Sequence, residues 1–321
     1  MTPIKWLFIK QWKLFINKQK CDGFTLIELL VGIVIATIVI TPLLGLMVDI
    51  ITVEQQEQAE ANTKQEMKAA LDYIARDLKQ SVYIYDADGI NAIRNKLPRY
   101  GDKNIFFPVL VFWKREFMSK EKSKMQDDTF FYSLVAYYLI TENNFRWSKA
   151  ARIGRFQISD GYEPTKTNDK DIWPDKGFQM FNLEGSGNLK SKMNQWKRKK
   201  DEKRDKDEPY TQDIVPLIDY IDQTRISENT NPAPPNCTIG YQQVPQFSKN
   251  GINDDAVATG KVKTRGFYVC VDSQNILAEV YLRGNALARL QKKNIDFKES
   301  HKTYFPQLSM RVQGSRFLLT K

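Results

Sequence analysis

Histidine is almost absent from this sequence, and its scarcity limits the chemistry that the chain can support. The 321 residues include one histidine, His301, and three cysteines. A Ser-His-Asp triad or a Cys-His pair would have to use His301, whose neighbourhood does not suggest catalysis. No His/Cys cluster has the spacing of a metal site, and no Gly-rich loop has the pattern of a phosphate-binding loop. We therefore do not expect an enzyme, and we expect no cofactor and no metal.

Charge is missing from a long stretch near the N-terminus. Residues 24–48 contain one ionisable side chain, Glu28, and the next one is Asp49. A helix of this length measures about 37 Å, which is enough to cross the hydrocarbon core of a bilayer. A carboxylate inside such a segment costs about 2.5–3.5 kcal/mol, so we expect it to have a partner and a function. A plain membrane anchor with an incidental glutamate is the alternative.

A basic leader precedes the apolar run and ends at Gly23. It holds five lysines and one aspartate, so its removal would lower the formal charge from +10 to +6. The lysines favour retention of the leader on the cytoplasmic side of a membrane. A secretory signal peptide fits poorly, because its small-x-small cleavage site follows the apolar region, whereas Gly23 precedes it.

The junction between leader and apolar run carries a specific motif. It reads Gly23-Phe24-Thr25-Leu26-Ile27-Glu28-Leu29-Leu30-Val31. This motif resembles the processing site of type IV pilins and type II secretion pseudopilins. The resemblance implies that a prepilin peptidase cuts between Gly23 and Phe24 and leaves Phe24 with a free, often methylated, α-amine. It also implies that Glu28 pairs with the amine of a neighbouring subunit and sets the axial register during assembly.

The same resemblance implies partners and a location. The partners would be the prepilin peptidase, other pilins or pseudopilins and an inner-membrane assembly platform. The protein would cross the inner membrane once, with its C-terminal domain in the periplasm, and would lie in a pseudopilus or at the cell surface after assembly. The fold implied is pilin-like, with a long N-terminal helix packed on a C-terminal antiparallel sheet.

Two finer resemblances concern the type of subunit. The chain length, the long loops and the late strand at residues 266–271 resemble the larger J-type or W-type minor pseudopilins. Residues 69–85 are similar to the HpsC-type pseudopilins of the hormogonium polysaccharide secretion system of filamentous cyanobacteria. The second resemblance implies polysaccharide export and gliding motility, with polysaccharide as a further partner.

Helical periodicity continues beyond the apolar run. The apolar residues recur at steps of three and four, at Met67, Leu71, Ile74, Leu78 and Val82. We predict one helix over residues 24–82. Its part at 24–53 would lie in a membrane or filament, and its amphipathic continuation at 54–85 would pack on a globular domain. The Asp86-Ala87-Asp88-Gly89 sequence is similar to part of a calcium-binding loop, but we predict a metal-free turn that ends the helix.

Residues 86–321 predict an extracytoplasmic domain rich in β-structure. Runs of β-branched and aromatic residues predict strands at 105–113, 130–140, 152–158, 266–271, 276–282, 307–312 and 315–319. The first two and the fourth and fifth are expected to form hairpins, and residues 285–291 a short helix. One long helix followed by an antiparallel sheet gives an α+β fold class.

Two cysteines remain once the leader, with Cys21, is removed. Cys237 lies in a proline-rich loop, and Cys270 lies in a predicted strand. In an extracytoplasmic domain such a pair predicts a disulfide. Two unrelated thiols are the alternative.

Residues 190–209 form a strongly charged segment with nine basic and five acidic side chains. We predict a mobile surface insertion, because so charged a run cannot offset its ordering entropy by burial. The alternative is a patch for an anionic polymer, formed by Lys197, Arg198, Lys199, Lys200, Lys203 and Arg204. In that case Trp196 would stack on a sugar or a base.

Two alternative functions follow from these observations. The first is a DNA-binding minor pilin for DNA uptake, although we do not expect nucleic acid as the partner. The second is a membrane-anchored glycan-active protein, because two carboxylates that are distant along the chain could still hydrolyse a glycosidic bond.

Overall fold

The computed structural model describes most of the chain from Gly23 onward. The described residues are 23–102, 105–118, 129–142, 145–161, 174–201, 203, 205–227, 230–248, 251–252 and 264–315. The predicted leader at residues 1–22 and most of the predicted strand at 315–319 lie outside them. The chain divides into two compact units, Met1–Glu54 and Gln55–Lys321.

The described helices and strands are as follows, numbered in chain order. The helices are α1 (Leu26–Lys79), α2 (Ala87–Ile93), α3 (Leu189–Met193) and α4 (Leu287–Leu290). The strands are β1 (Ser81–Ile84), β2 (Phe106–Met118), β3 (Thr129–Ile140), β4 (Ala151–Ser159), β5 (Lys200–Asp201), β6 (Lys206–Asp207), β7 (Val215–Ile221), β8 (Gln242–Val244), β9 (Phe247–Ser248), β10 (Gly251–Ile252), β11 (Phe267–Asp272), β12 (Leu277–Arg283) and β13 (Gln307–Gln313).

Helix α1 confirms the prediction of one long helix but ends earlier than expected. It covers 54 residues and stops at Lys79 rather than at residue 82. Val82 and Ile84 lie instead in strand β1, all four residues of which are buried. Because β-branched and aromatic side chains fit a pleated surface better than a helix, the chain changes to a strand here.

A five-stranded antiparallel sheet forms one half of the second unit. Its strand order is β1-β2-β3-β4-β7. The predicted hairpin of β2 and β3 is confirmed, with Phe106 opposite Ile140 at one end and Met118 opposite Thr129 at the other. Strand β7, at one edge, was not predicted from the sequence.

A four-stranded antiparallel sheet forms the other half. Its order is β13-β12-β11-β8, and the predicted hairpin of β11 and β12 is confirmed. The predicted short helix at residues 285–291 corresponds to α4. The α+β fold class is therefore confirmed, with antiparallel sheets that follow a long N-terminal helix.

The sequence Asp86-Ala87-Asp88-Gly89 starts a helix, so the prediction of a helix-ending turn is wrong. Asp86 is the N-cap of α2, and its side chain accepts a hydrogen bond of 2.9 Å from the backbone N–H of Gly89. Lys190 Nζ lies 2.6 Å from Asp86 Oδ2 and 2.9 Å from Asp88 Oδ2. One lysine thus pairs with both carboxylates of the motif.

The part of α1 that lies in the second unit is docked on this unit's core. Its buried apolar residues have the predicted spacing of three and four and belong to one cluster with the strands; they include Met67, Leu71, Ile74 and Leu78. Gly284, just after β12, permits close approach of the helix. A Cβ atom at Gly284 would lie 2.6 Å from Met67 Sδ, which is too short for a non-bonded contact.

Candidate processing and assembly site

The first unit exposes a long apolar surface. Every side chain from Gly23 to Gln55 is solvent-exposed in the isolated chain. Among the described residues, α1 is the one helix whose length and composition would allow it to cross a membrane. An apolar surface of this size requires a cover, either lipid or the helices of other subunits.

The processing junction lies just before the helix. Gly23, Phe24 and Thr25 precede the first residue of α1, Leu26, and the Phe24 side chain is 82% exposed. A Cβ atom at Gly23 would meet no other atom within 4 Å. The Gly23–Phe24 bond therefore lies in an accessible, non-helical segment, as a protease requires of its cleavage site.

Glu28 forms a capping box with Thr25 at the start of α1. The Thr25 N–H and Oγ1–H donate to Glu28 Oε2 at 3.1 and 2.9 Å, and the Glu28 N–H donates to Thr25 Oγ1 at 3.3 Å. This reciprocal arrangement satisfies backbone donors that the first helical turn leaves unpaired. This role of Thr25 was not predicted from the sequence, although the Thr-x-x-Glu spacing is its signal.

The structure joins Cys237 and Cys270 in a disulfide. The S–S distance is 1.96 Å and the two Cα atoms are 5.7 Å apart. Cys270 lies in strand β11, and Cys237 lies in the proline-rich loop before β8. The bond therefore ties this loop to the four-stranded sheet.

The charged segment at residues 190–209 is partly packed into the core. This burial corrects the expectation that so charged a run cannot offset its ordering entropy by burial. Met193 and Trp196 are buried. The Trp196 Nε1–H donates to the carbonyl of Gln179 at 2.7 Å, and its ring meets Trp113 edge-on at a centroid distance of 6.0 Å. Trp196 is thus a core residue and does not present its ring to a sugar or a base.

The described basic residues of this segment differ in their surroundings. Arg198 lies over the Tyr210 ring, 3.9 Å from its centroid, and Lys200 pairs with Asp205 at 2.7 Å. Lys197, Lys199 and Lys203 are exposed, and Arg204 lies outside the described residues. Arg198 and Lys200 therefore have intramolecular partners, and the anionic polymer site stays a prediction.

The described residues contain no group of three or more His, Cys, Asp and Glu side chains that could bind a metal.

Comparison with known proteins identifies the N-terminal signal. Residues 18–44 match the family model of the prokaryotic N-terminal methylation motif. No curated protein and no solved structure matches the chain. The matched residues include the end of the leader, the junction and the start of α1, but none of the β-strands. The chain therefore carries a type IV pilin-like prepilin signal on a long apolar helix, which supports a pilin or pseudopilin that prepilin peptidase processes and that assembles with other pilins.

Proposed function

We propose that this protein is a minor pseudopilin. A prepilin peptidase cuts it between Gly23 and Phe24, and the mature chain assembles with other subunits into a type IV pilus-like or type II secretion-like pseudopilus. The observation that carries this proposal is the methylation motif at residues 18–44, placed at the start of an exposed apolar helix. The α+β domain that follows has the layout that the resemblance to pilins implies.

The geometry of the first turn suggests how Glu28 acts in assembly. After cleavage, Glu28 is the fifth residue of the mature chain and stays hydrogen-bonded to Thr25. An ionised carboxylate is costly in an apolar environment, and Thr25 supplies hydrogen bonds but no charge. The α-amine of a neighbouring mature subunit would supply the missing positive charge when the apolar helices pack together. Glu28 would thus stabilise one axial register between subunits.

We place the second unit on the periplasmic side of the membrane. The basic leader favours this orientation, and the Cys237–Cys270 disulfide fits an oxidising compartment. The resemblance of residues 69–85 suggests that the pseudopilus functions in polysaccharide export and gliding motility. Those residues form the end of α1 and strand β1, and most are buried. They therefore support a shared domain architecture more directly than a shared cargo.

Three variants test the role of Glu28. Glu28→Ala removes both the cap and the charge, Glu28→Gln keeps a side chain that accepts the Thr25 hydrogen bonds, and Glu54→Ala is the control at an exposed residue beyond the apolar run. Processing is measured by intact mass, and assembly by cross-linking to other pilins in the membrane. We expect all three variants to be processed and both Glu28 variants to be lost from the cross-linked complexes.

Assembly of Glu28→Gln at the level of the unmodified protein would contradict the proposed charge pairing. It would leave helix capping as the function of Glu28, because glutamine can accept the same hydrogen bonds. Assembly of Glu28→Ala at that level would exclude both functions.

A further inference from the structure

We propose that strand β13 binds an extended, acidic segment of another protein, which adds to the four-stranded sheet as a further strand. β13 covers Gln307–Gln313 and lies at one edge of that sheet. This docking edge belongs to the second unit alone. It depends on neither processing nor assembly and therefore goes beyond the proposed function.

The backbone of β13 is paired on one side only. All seven of its residues pair with β12 in continuous register, from Gln307 opposite Arg283 to Gln313 opposite Leu277. In an antiparallel pair alternate residues direct their N–H and C=O groups to the partner strand, so about half of those of β13 point away from β12. Among the described residues, no hydrogen bond from outside the sheet reaches the backbone of residues 307–313. This outer row of backbone groups can therefore pair with an incoming strand.

The other three edges of the two larger sheets have features that discourage such pairing. β7 contains Pro216, which lacks a backbone N–H, and its register with β4 shifts at two places. β1 has four residues, all buried, and its register with β2 shifts once. β8 has three residues. Short, irregular or proline-containing edges protect a sheet against a foreign strand. β13 contains no proline and no register shift, so its edge lacks this protection.

The one charged side chain of β13 is held over the face of the sheet. Arg311 Nη2 donates to the Tyr241 hydroxyl at 2.7 Å, and Arg311 Cζ lies 5.7 Å from the centroid of the Tyr241 ring. Tyr241 directly precedes β8, the strand at the opposite edge. A charge at an edge can repel a foreign strand, but this contact directs Arg311 across the sheet and leaves the outer row unscreened.

Helix α1 supplies the preference for an acidic partner. A cavity of about 440 Å³ is lined by β13 and by α1, and its charged lining residues are Asp72, Arg76, Lys79 and Arg311. The lining is therefore net positive, and an anionic partner is favoured. Because side chains alternate between the two faces of a sheet, a strand added to β13 would direct every second side chain towards α1. Acidic side chains at those positions would meet Arg76 and Lys79.

A second copy of β13 fits this edge less well than an acidic strand. The sequence of β13 contains no acidic residue. Self-pairing of two copies would bring Arg311 and the basic residues of a second α1 to the groove instead of a carboxylate. The edge therefore selects an extended backbone, and the adjoining helix selects acidic side chains on it.

Hydrogen exchange of the full chain in detergent tests the proposal with three synthetic peptides. The first alternates glutamate and valine over about eight residues, and the second alternates lysine and valine. The third is the first peptide with N-methylated backbone amides, which cannot donate hydrogen bonds. Exchange is read in fragments that cover β13 and, as the control edge, β7. We expect the first peptide to slow exchange in β13 and not in β7, the second to bind at least about tenfold more weakly, and the third to give no protection.

Charge reversal on α1 provides the matched comparison. Arg76→Glu combined with Lys79→Glu should weaken binding of the glutamate peptide by at least about tenfold and strengthen binding of the lysine peptide. Lys64→Glu combined with Lys68→Glu makes the same change of charge at exposed residues of the same helix outside the groove, and should change binding less than about twofold because salt screens distant charges. Near-ultraviolet circular dichroism checks that both double variants are folded. If the first does not fold, the glutamate and lysine peptides on the unmodified protein still decide.

Four outcomes would overturn the proposal. Unchanged exchange of β13 with the glutamate peptide would show that the edge does not bind a strand. Equal protection by the N-methylated peptide would exclude backbone pairing, and equal binding of the lysine peptide would exclude the preference for acidic side chains. Slow exchange of the whole β13 fragment without any peptide would show that the edge is already covered. Dependence of that slow exchange on protein concentration would identify the cover as a second copy of the chain.

Discussion

The Nε–H of Arg155 donates a hydrogen bond of 2.7 Å to Asp77 Oδ2, and this ion pair joins helix α1 to strand β4. The Tyr137 hydroxyl donates to the same oxygen at 2.6 Å, and Lys114 Nζ lies 3.1 Å from Asp77 Oδ1. Burial by itself raises the pKa of the Asp77 carboxyl, but hydrogen bonding and charge attraction from Arg155, together with Lys114 and Tyr137, outweigh it and hold this pKa below its ordinary value. Asp77 is thus an ionised docking residue on the buried face of α1.

Replacement of Asp77 by asparagine should strongly destabilise the second unit. The variant keeps the shape of the side chain but leaves Lys114 and Arg155 without their shared carboxylate. Breaking such a buried pair costs about 3–5 kcal/mol. Urea unfolding of the full chain in detergent, followed by near-ultraviolet circular dichroism, measures this free energy. Asp72→Asn, at an exposed residue of the same helix, should change it by less than about 0.5 kcal/mol. Equal effects of the two substitutions would contradict the assigned role of Asp77.

The contribution of Asp77 to stability should depend on pH. Its pKa in the folded protein is below the ordinary value of about 3.9 for an unfolded aspartate. The stabilisation is therefore fully present above about pH 5, decreases as the pH falls past the unfolded pKa and is lost below the folded pKa. The difference in unfolding free energy between the unmodified protein and Asp77→Asn should shrink progressively as the pH falls below about 5. A difference that stays constant over this range would show that ionisation of Asp77 is not the cause.

Trp196 should be required for folding although it lies in a highly charged segment. Its side chain is buried against Trp113, so Trp196→Ala leaves a cavity and a carbonyl at Gln179 without its donor. We expect a loss of about 3–5 kcal/mol in the free energy of unfolding. The exposed Trp147, replaced by alanine in the same assay, should cost about 1 kcal/mol or less. A Trp196→Ala variant as stable as the Trp147→Ala variant would support the earlier expectation of a solvated loop.

Reduction of the Cys237–Cys270 disulfide should destabilise the sheet that contains β11. The cross-link joins residues that are 33 positions apart, and closing a loop of this length is worth about 3–4 kcal/mol by the chain-entropy estimate. The Cys237→Ser variant and the doubly substituted protein should unfold at similarly lower urea concentrations. Peptide mapping of the native protein without reductant should show the linked peptides. Two alkylatable thiols in that experiment would contradict the assignment.

Local periodicity predicts the long helix and the principal hairpins of this fold. The spacing of Met67, Leu71 and Ile74 indicates the docked face of α1, and dense β-branched and aromatic runs indicate β2, β3, β11 and β12. Strand β7 was missed because its sequence, Val215–Ile221, contains a proline and an aspartate, which normally argue against a strand. It lies at an edge of the five-stranded sheet, next to β4. This pairing joins residues that are far apart in the sequence, so a local pattern does not reveal it.

The candidate site could also be predicted only in part, because only some of its features come from residues that are adjacent in the sequence. The junction at Gly23 and the lone carboxylate of Glu28 are contiguous in the sequence, so a local motif reveals them. The burial of Trp196 and the ion pairs of Asp77 depend on residues far along the chain, and their signals are weak. For Asp77 that signal is an acidic residue between Ile74 and Leu78 on the apolar face, and for Trp196 it is one aromatic residue in a charged run.

The N-terminal residue of the protein purified from its native membrane tests the account most directly. Intact mass and N-terminal sequencing should show a chain that begins at Phe24, with the basic leader of 23 residues removed. Replacement of Gly23 by a bulky residue should block this cleavage and leave the leader in place. A chain that still begins at Met1 in cells with an active prepilin peptidase would contradict the proposal. The apolar helix would then be a simple membrane anchor, and the second unit alone would have to account for the function.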